Sequence, residues 1–204
     1  MSENLQKIYK SFTAGRQKNI NGGEWRKLIM AKKPFERYSV CEPYLMARIK
    51  ALRMPPAVIG VKLTDDKQVY SAVIDIPMGP NLLGTMVCLA NGAVNMYFNN
   101  GASITNLSAR HPSLAQTVRT FIASAGQSLP ACERTSVFDL PLNSSAHYAH
   151  IMTRKGVYKT VIDPFHLEGS DENKMKAFLL HLYQNVMNEI KNAQAKDQAA
   201  RNSK

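Results

Sequence analysis

The sequence predicts an α+β protein, a largely antiparallel sheet of about five or six strands with helices on one face and short helices at the N-terminus. Three observations predict it. The turns Asn91-Gly92 and Lys155-Gly156 each separate two runs of strand-type residues, which makes hairpins and therefore antiparallel pairs. A segment with helical spacing of apolar residues follows each hairpin, as α+β proteins require. The run Val69-Tyr-Ser-Ala-Val-Ile-Asp-Ile76 is rich in β-branched residues and stops at Pro77-Met-Gly-Pro80, so it is a strand bounded by turn residues.

The elements follow in order. Leu5, Ile8, Tyr9 and Phe12 have the spacing of a short amphipathic helix, broken by Asn19-Ile-Asn-Gly-Gly23. Trp25, Leu28 and Ile29 suggest a second short helix ending at Pro34, and Pro43, Leu45, Ile49 and Leu52 a third that stops at Pro55-Pro56. Residues 58–63 form a candidate strand, and Asp65-Asp66 a turn before the strand at 69–76. Residues 85–90 and 93–98 form the first hairpin, because Asn-Gly supplies the positive φ angles of a type I′ turn. Pro112 opens a helix carrying Leu114, Val118, Phe121, Ile122 and Ala125, closed by Gly126. Residues 147–153 and 157–162 form the second hairpin. A long helix follows, with Ser170 or Asp171 as N-cap and Met175, Phe178, Leu179, Leu182, Tyr183, Val186 and Ile190 as its apolar face. After about Asn192 the chain is polar, and fraying is expected. The expected organisation is a basic helical region over 1–56, an α+β domain over 57–192 and a polar tail over 193–204. A profilin-like or roadblock/longin-like arrangement accommodates this order of elements.

The stretch Thr85-Met-Val-Cys-Leu-Ala-Asn-Gly-Ala-Val-Asn-Met-Tyr-Phe-Asn-Asn-Gly101, with Ile104 and His111, resembles a group of uncharacterised bacterial proteins. Their pattern runs roughly ALADGTASLYxSxGGGxIGGGxH before a helix. The hairpin Tyr148-Ala-His-Ile-Met-Thr-Arg-Lys-Gly-Val-Tyr158 and the long last helix are similar too, so the resemblance spans roughly 69 to 190. It implies a shared α+β fold and no particular activity. This chain departs from the pattern where the group is richest in glycine. Gly101-Ala-Ser-Ile-Thr-Asn-Leu-Ser108 carries side chains at two or more of those positions, which blocks the close backbone approach that glycine permits.

Composition narrows the functions. The chain has 204 residues, 45% hydrophobic and 20% charged, which suits a globular protein that needs no disulfide or metal to hold its core. Its net charge is +11, of which +8 falls within residues 1–56 and +3 in the remainder. Such a balance permits an acidic partner such as nucleic acid. Cys41, Cys88 and Cys132 are widely spaced and odd in number. That argues against a disulfide framework and a cysteine zinc site, and suits a cytoplasmic location. The first residues lack the pattern of a signal peptide, and the apolar runs are too short to span a bilayer. No cofactor fingerprint, nucleophile elbow or metal-ligand spacing is present. His147 and His150 lie three apart on a strand and so point to opposite faces.

Three functions remain. The leading one is a non-enzymatic protein-interaction module, expected as a homodimer. The last helix fills an apolar arc of roughly 140°, where packing on one sheet face needs about 100°. Leu180, Tyr183 and Met187 are the candidate interface residues. The second is nucleic-acid binding through Arg26, Lys27, Lys32, Lys33 and Arg37, which alternate with aromatic residues, since basic grooves with stacking rings hold single strands. The third is a weak anion or nucleotide site on the 99–111 loop. There Gly101, Ser103, Ser108, Arg110 and His111 precede a helix start, where backbone N–H groups favour anions.

Overall fold

Strand β1 (Val69–Pro77) is buried at every position from Val69 to Ile76, and β2 (Leu83–Leu89) along its whole length. A strand buried without alternation is covered on both faces, and that sets the architecture. The computed structural model describes residues 37–142 and 145–203. Among these, five further strands complete one sheet: β3 (Val94–Phe98), β4 (Ser103–Ile104), β5 (Glu133–Thr135), β6 (His147–Thr153) and β7 (Gly156–Ile162). Their order is β4-β3-β2-β1-β6-β7-β5, and every pair is antiparallel. The helices are α1 (Glu42–Leu52), α2 (Leu107–Arg110), α3 (Pro112–Ala125) and α4 (Asp171–Asn202).

The chain is thus α+β with an antiparallel sheet, but with seven strands instead of five or six. The additional two are β4 and β5, with two and three residues. They are too short for any period to register in sequence, and exist by pairing with the edges of β3 and β7.

The two long helices share one face, as expected. There Ala72, Ile74, Met86 and Cys88 of the sheet pack with Leu114, Val118 and Phe121 of α3 and with Leu179, Tyr183 and Val186 of α4. The other face is covered as well, which corrects the expectation of helices on one face alone. On it Ala51 and Leu52 of α1 pack with Val73, Val87, Leu89 and Met152. Near the start of α1, Tyr44 and Leu45 join Tyr38, Leu83 and Leu140. Residues from 37 onward therefore belong to the sheet's own fold, and no boundary falls at 56. The helices expected around 5–12 and 25–34 lie outside the described residues.

Two other expectations are corrected. Residues 58–63 form no strand. Pro55 and Pro56 start a 3-10 turn, Pro56–Ile59, which Gly60 ends at φ +69°. The polar segment beyond 192 is helical, since α4 continues to Asn202. Ala193 is buried there, and Asp197 bonds Arg110 and His111. The hairpin at Asn91-Gly92 is present, but its turn is not type I′: only Gly92 has a positive φ, +91°, and Gly92 N donates to Leu89 O while Leu89 N donates to Ala93 O, closing a three-residue loop. Asn91 Oδ1 accepts from Ala93 N at 3.0 Å. Ser170 caps α4, its side chain accepting from Asn173 N at 3.2 Å.

Candidate functional site

Strand alternation decides which side chains face α1. Val73 and Asp75 of β1, Thr85 of β2, His150 of β6 and Lys159 of β7 lie on that face. The register sets Asp75 opposite Thr85, Val73 opposite His150, and His150 opposite Lys159. Tyr44 and Arg48 are one turn apart on α1, so both reach down onto the same strands. Phe138 and Asp139 close the arrangement from the segment before β6.

The result is a buried, charged cluster in the second layer. Arg48 Nε donates to Asp75 Oδ1 at 2.9 Å, and Nη2 donates to Oδ2 at 2.5 Å. The same guanidinium donates to the backbone oxygens of Phe138 at 2.8 Å and Asp139 at 3.0 Å. Thr85 Oγ1 donates to Asp75 Oδ1 at 2.7 Å and shares a 2.6 Å hydrogen bond with the Tyr44 hydroxyl. Lys159 Nζ lies 2.5 Å from Asp139 Oδ1 and 3.8 Å from the centre of the Tyr148 ring. His150 has no exposed surface; its Nδ1 is 3.8 Å from Asp75 Oδ2, and Phe138 meets its ring edge-on at 6.0 Å.

Burial alone would raise the Asp75 carboxyl, but the charge and hydrogen bonds of Arg48 outweigh it and hold the group below the ordinary carboxylate range. Burial likewise works against the Arg48 cation, and Asp75 more than compensates. His150 is driven down to about 3, first by burial and then by Arg48 and Lys159, with Asp75 opposing. The imidazole is therefore neutral at ordinary pH. Two cations and two carboxylates are matched inside the fold. Asp75 and His150 have zero exposure and fix α1 on the sheet, while Lys159 and Asp139 keep 13% and 8% of their side-chain surfaces exposed.

What α1 does present is the groove beside it. Pro43, Met46, Ala47, Lys50 and Met54 form one wall, and Val87, Leu89, Asn95 and Tyr97 of β2 and β3 form the floor. Its volume is about 420 Å³, and Met46 is 46% exposed at its lip. A separate hollow of about 300 Å³ reaches Asp139 and Lys159 from the β5–β7 edge.

The residues singled out from sequence fall differently. Leu180 and Tyr183 are buried and Met187 is half-buried against the main core, so they are not an outer face. The surplus apolar arc of α4 is used twice, against the sheet and against α3 with the 3-10 turn Gly126–Ala131. The Tyr183 hydroxyl is 2.6 Å from His147 Nδ1. His147 thus faces α4 while His150 faces α1, the opposite placement expected of residues three apart.

On the 99–111 loop a hollow of about 350 Å³ is bordered by Ser103, Arg110, Asp197 and Arg201. Asp197 holds Arg110 at 2.6 Å and His111 at 2.8 Å, so both basic side chains at the end of the loop turn to one carboxylate. Ser108 Oγ accepts from Val94 N, and Gly101 turns with φ +91° at an exposed position. Arg26, Lys27, Lys32 and Lys33 lie outside the described residues. Arg37 donates to the Tyr38 hydroxyl at 2.6 Å and to the Pro141 oxygen at 3.1 Å, and stacks over the Tyr38 ring.

Sequence reasoning missed Asp75, His150 and Arg48 as a unit. One signal was available. A carboxylate inside an unbroken apolar strand must meet a cation or strong donors. Among the described residues no group of histidine, cysteine and carboxylate side chains is placed to hold a metal ion. No helix among them is long and apolar enough to cross a membrane. Comparison with known proteins finds no matching family, no similar curated protein and no similar solved structure.

Proposed function

We propose that the chain is a non-enzymatic protein-interaction module whose working surface is the groove between α1 and the β2–β3 face. The observation that carries this reading is the groove itself, an open apolar trough whose wall is fixed from beneath by Arg48 and Tyr44. A wall held by buried hydrogen bonds is pre-organised, which lowers the ordering cost of association. Met46 and Met54 supply adaptable apolar contact. The buried Arg48–Asp75 pair supports a positioning role for the cluster, since Asp75 and His150 are closed off from solvent. The free thiols Cys41, Cys88 and Cys132 suit a reducing compartment.

The test is a photo-crosslinking amino acid placed at Met46 of the full chain in its own cells, with the exposed α3 position Gln116 as control. A discrete protein adduct is expected at Met46, absent at Gln116 and lost when Ala47→Trp fills the groove. An adduct of twice the chain's mass identifies a second copy as the occupant. Labelling equal at both positions, or an adduct removed by nuclease, overturns the reading; the latter favours nucleic acid.

A further inference from the structure

The tip of the β6–β7 hairpin gathers cations beside an aromatic ring. Arg154 and Lys155 are the two residues of its turn, since Thr153 pairs with Gly156. Both reach Asp66 in the turn before β1, at 2.5 Å and 2.9 Å. Arg134 of β5 stands opposite Tyr158 of β7, so the two side chains share a face. The Arg134 guanidinium lies against Gly156, 3.3–3.8 Å from where a Cβ would stand. The Lys67 backbone oxygen is 3.2 Å from the position of a Cβ on Gly126, so the turn before β1 meets the 3-10 turn Gly126–Ala131 closely. Between these two turns and the hairpin lies a hollow of about 460 Å³. Leu129, Pro130 and the half-buried Tyr158 give it apolar walls, and the exposed Lys67 and Lys155 line it beside them.

Four exposed cations, Lys67, Arg134, Arg154 and Lys155, stand here against two carboxylates, Asp65 and Asp66. Asp66 is spent on Arg154 and Lys155, and Asp65 turns back to accept from the Lys67 N–H at 2.5 Å. The side chains of Lys67 and Arg134 make no hydrogen bond or ion pair among the described residues, so their charge is open to a ligand. Independently of the α1 groove, we infer that the hairpin tip and its hollow bind single-stranded nucleic acid, with Lys67 and Arg134 on phosphates and an unpaired base against Tyr158. Cations that flank an accessible ring match a chain of phosphates carrying a flat base at each step. A duplex keeps its bases stacked on one another and meets the cations while leaving the hollow empty. An acidic peptide supplies carboxylates with no ring held at a fixed spacing from them.

The experiment follows fluorescence anisotropy of two labelled twelve-nucleotide strands of mixed sequence, one DNA and one RNA, against the full-length chain from about 50 to 200 mM salt. At least one strand is expected to bind, and more tightly than the same sequence as a duplex. Lys67→Ala with Arg134→Ala disturbs no partnered side chain. This pair should lower the slope of log affinity against log salt by about 1.4, two phosphates at about 0.7 each. Lys191→Ala with Lys196→Ala removes the same charge from exposed positions of α4 near the other edge of the sheet, and should leave the slope unchanged. Tyr158→Leu should weaken binding about tenfold, while Tyr158→Phe, which keeps the ring, should not. The cation variants carry the test if circular dichroism shows that Tyr158→Leu does not fold. Failure of both strands to bind overturns the inference, as does equal affinity for the duplex or equal loss in the two Tyr158 variants. A slope unmoved by the hairpin-tip pair, or lowered as much by the α4 pair, overturns it too. The reading of the α1 groove stands or falls separately, by crosslinking at Met46.

Discussion

Arg48 on α1 and Asp75 on β1 form a two-point ion pair inside the protein, with 3% and 0% of their side-chain surfaces exposed. The pair joins the second layer to the central strand. It also spends the guanidinium's other donors on the Phe138 and Asp139 carbonyls, so one side chain holds a helix, a strand and a connecting segment in register. A helix packed through such a pair has little freedom to slide, because displacement leaves a carboxylate in an apolar surround. The groove wall inherits that rigidity.

Removing the cation is therefore expected to cost far more than an exposed ion pair is worth. Arg48→Met keeps the volume and strands Asp75, with an expected loss of about 3–5 kcal/mol. Adding Asp75→Asn removes the stranded charge while keeping an acceptor for Thr85, and should recover at least about 1 kcal/mol of that loss. Urea unfolding midpoints of the parent, the two single variants and the double variant check this. Losses that add independently would show that the pair is not coupled as its geometry requires.

Stability should fall in mild acid, and the cause lies with two histidines. Burial holds His147 at about 4 and His150 at about 3, against about 6.5 in an unfolded chain. Below pH 6.5 the unfolded state takes up protons that the native state refuses. Their contribution is therefore complete above that pH and declines as pH falls toward about 4 for His147 and about 3 for His150. Each group acts with a slope of up to about 1.4 kcal/mol per pH unit. Asp75 is shifted in the same direction, but its share is lost only below the ordinary carboxylate range. Urea midpoints from pH 7.5 to 4.5 should slope downward, and His150→Leu should flatten the slope. A level profile in the parent protein would contradict the assignment.

The elements with local signals were readable in advance, and the second layer was not. Asn91-Gly92, Pro112 and Ser170 act within a few residues of themselves, so a turn, a helix start and a cap follow from sequence alone. The docking of α1 depends on Asp75, which is 27 residues away from Arg48. Arg48 reads in sequence as a charge bordering the stripe of Leu45, Ile49 and Leu52, a position that solvent satisfies equally well. The unbroken burial of Val69 to Ile76 held the missing information, because a strand covered on one face alternates and this one does not. The apolar surplus of α4 was real, but periodicity cannot say that α3 consumes it.

Gly92 is expected to tolerate no side chain. A Cβ there would lie 2.6 Å from Arg119 Nη1 and 2.9 Å from the Ala115 backbone oxygen, at φ +91°. The arginine can swing aside, but the carbonyl belongs to α3 and moves only with the helix. Gly60 offers the control, with φ +69° and nothing within 4 Å of its Cβ. Gly60→Ala should cost about 1 kcal/mol through backbone conformation alone, and Gly92→Ala clearly more. Thermal melts of the two variants measure the difference, which isolates the contact between the hairpin tip and α3. Equal losses would mean that the hairpin and helix yield without resistance.

Asp197 should govern whether the last turns of α4 stay folded. Its carboxylate accepts from Arg110 and lies 2.8 Å from His111 Nε2, both belonging to the segment that leads into α3. Those hydrogen bonds hold the carboxyl below the ordinary range. The tether is therefore present above that range and is lost only as pH falls beneath it. Asp197→Asn removes the charge and leaves the helix propensity nearly unchanged. Amide hydrogen exchange over 194–202 should accelerate in this variant, while 175–190, buried against α3 and the sheet, stays protected. Because the Asp197–Arg110 pair lies at the surface, with 27% and 54% of the side chains exposed, the global unfolding midpoint should barely move. Unchanged exchange at 194–202 would mean that propensity and the burial of Ala193 suffice to hold the end of the helix.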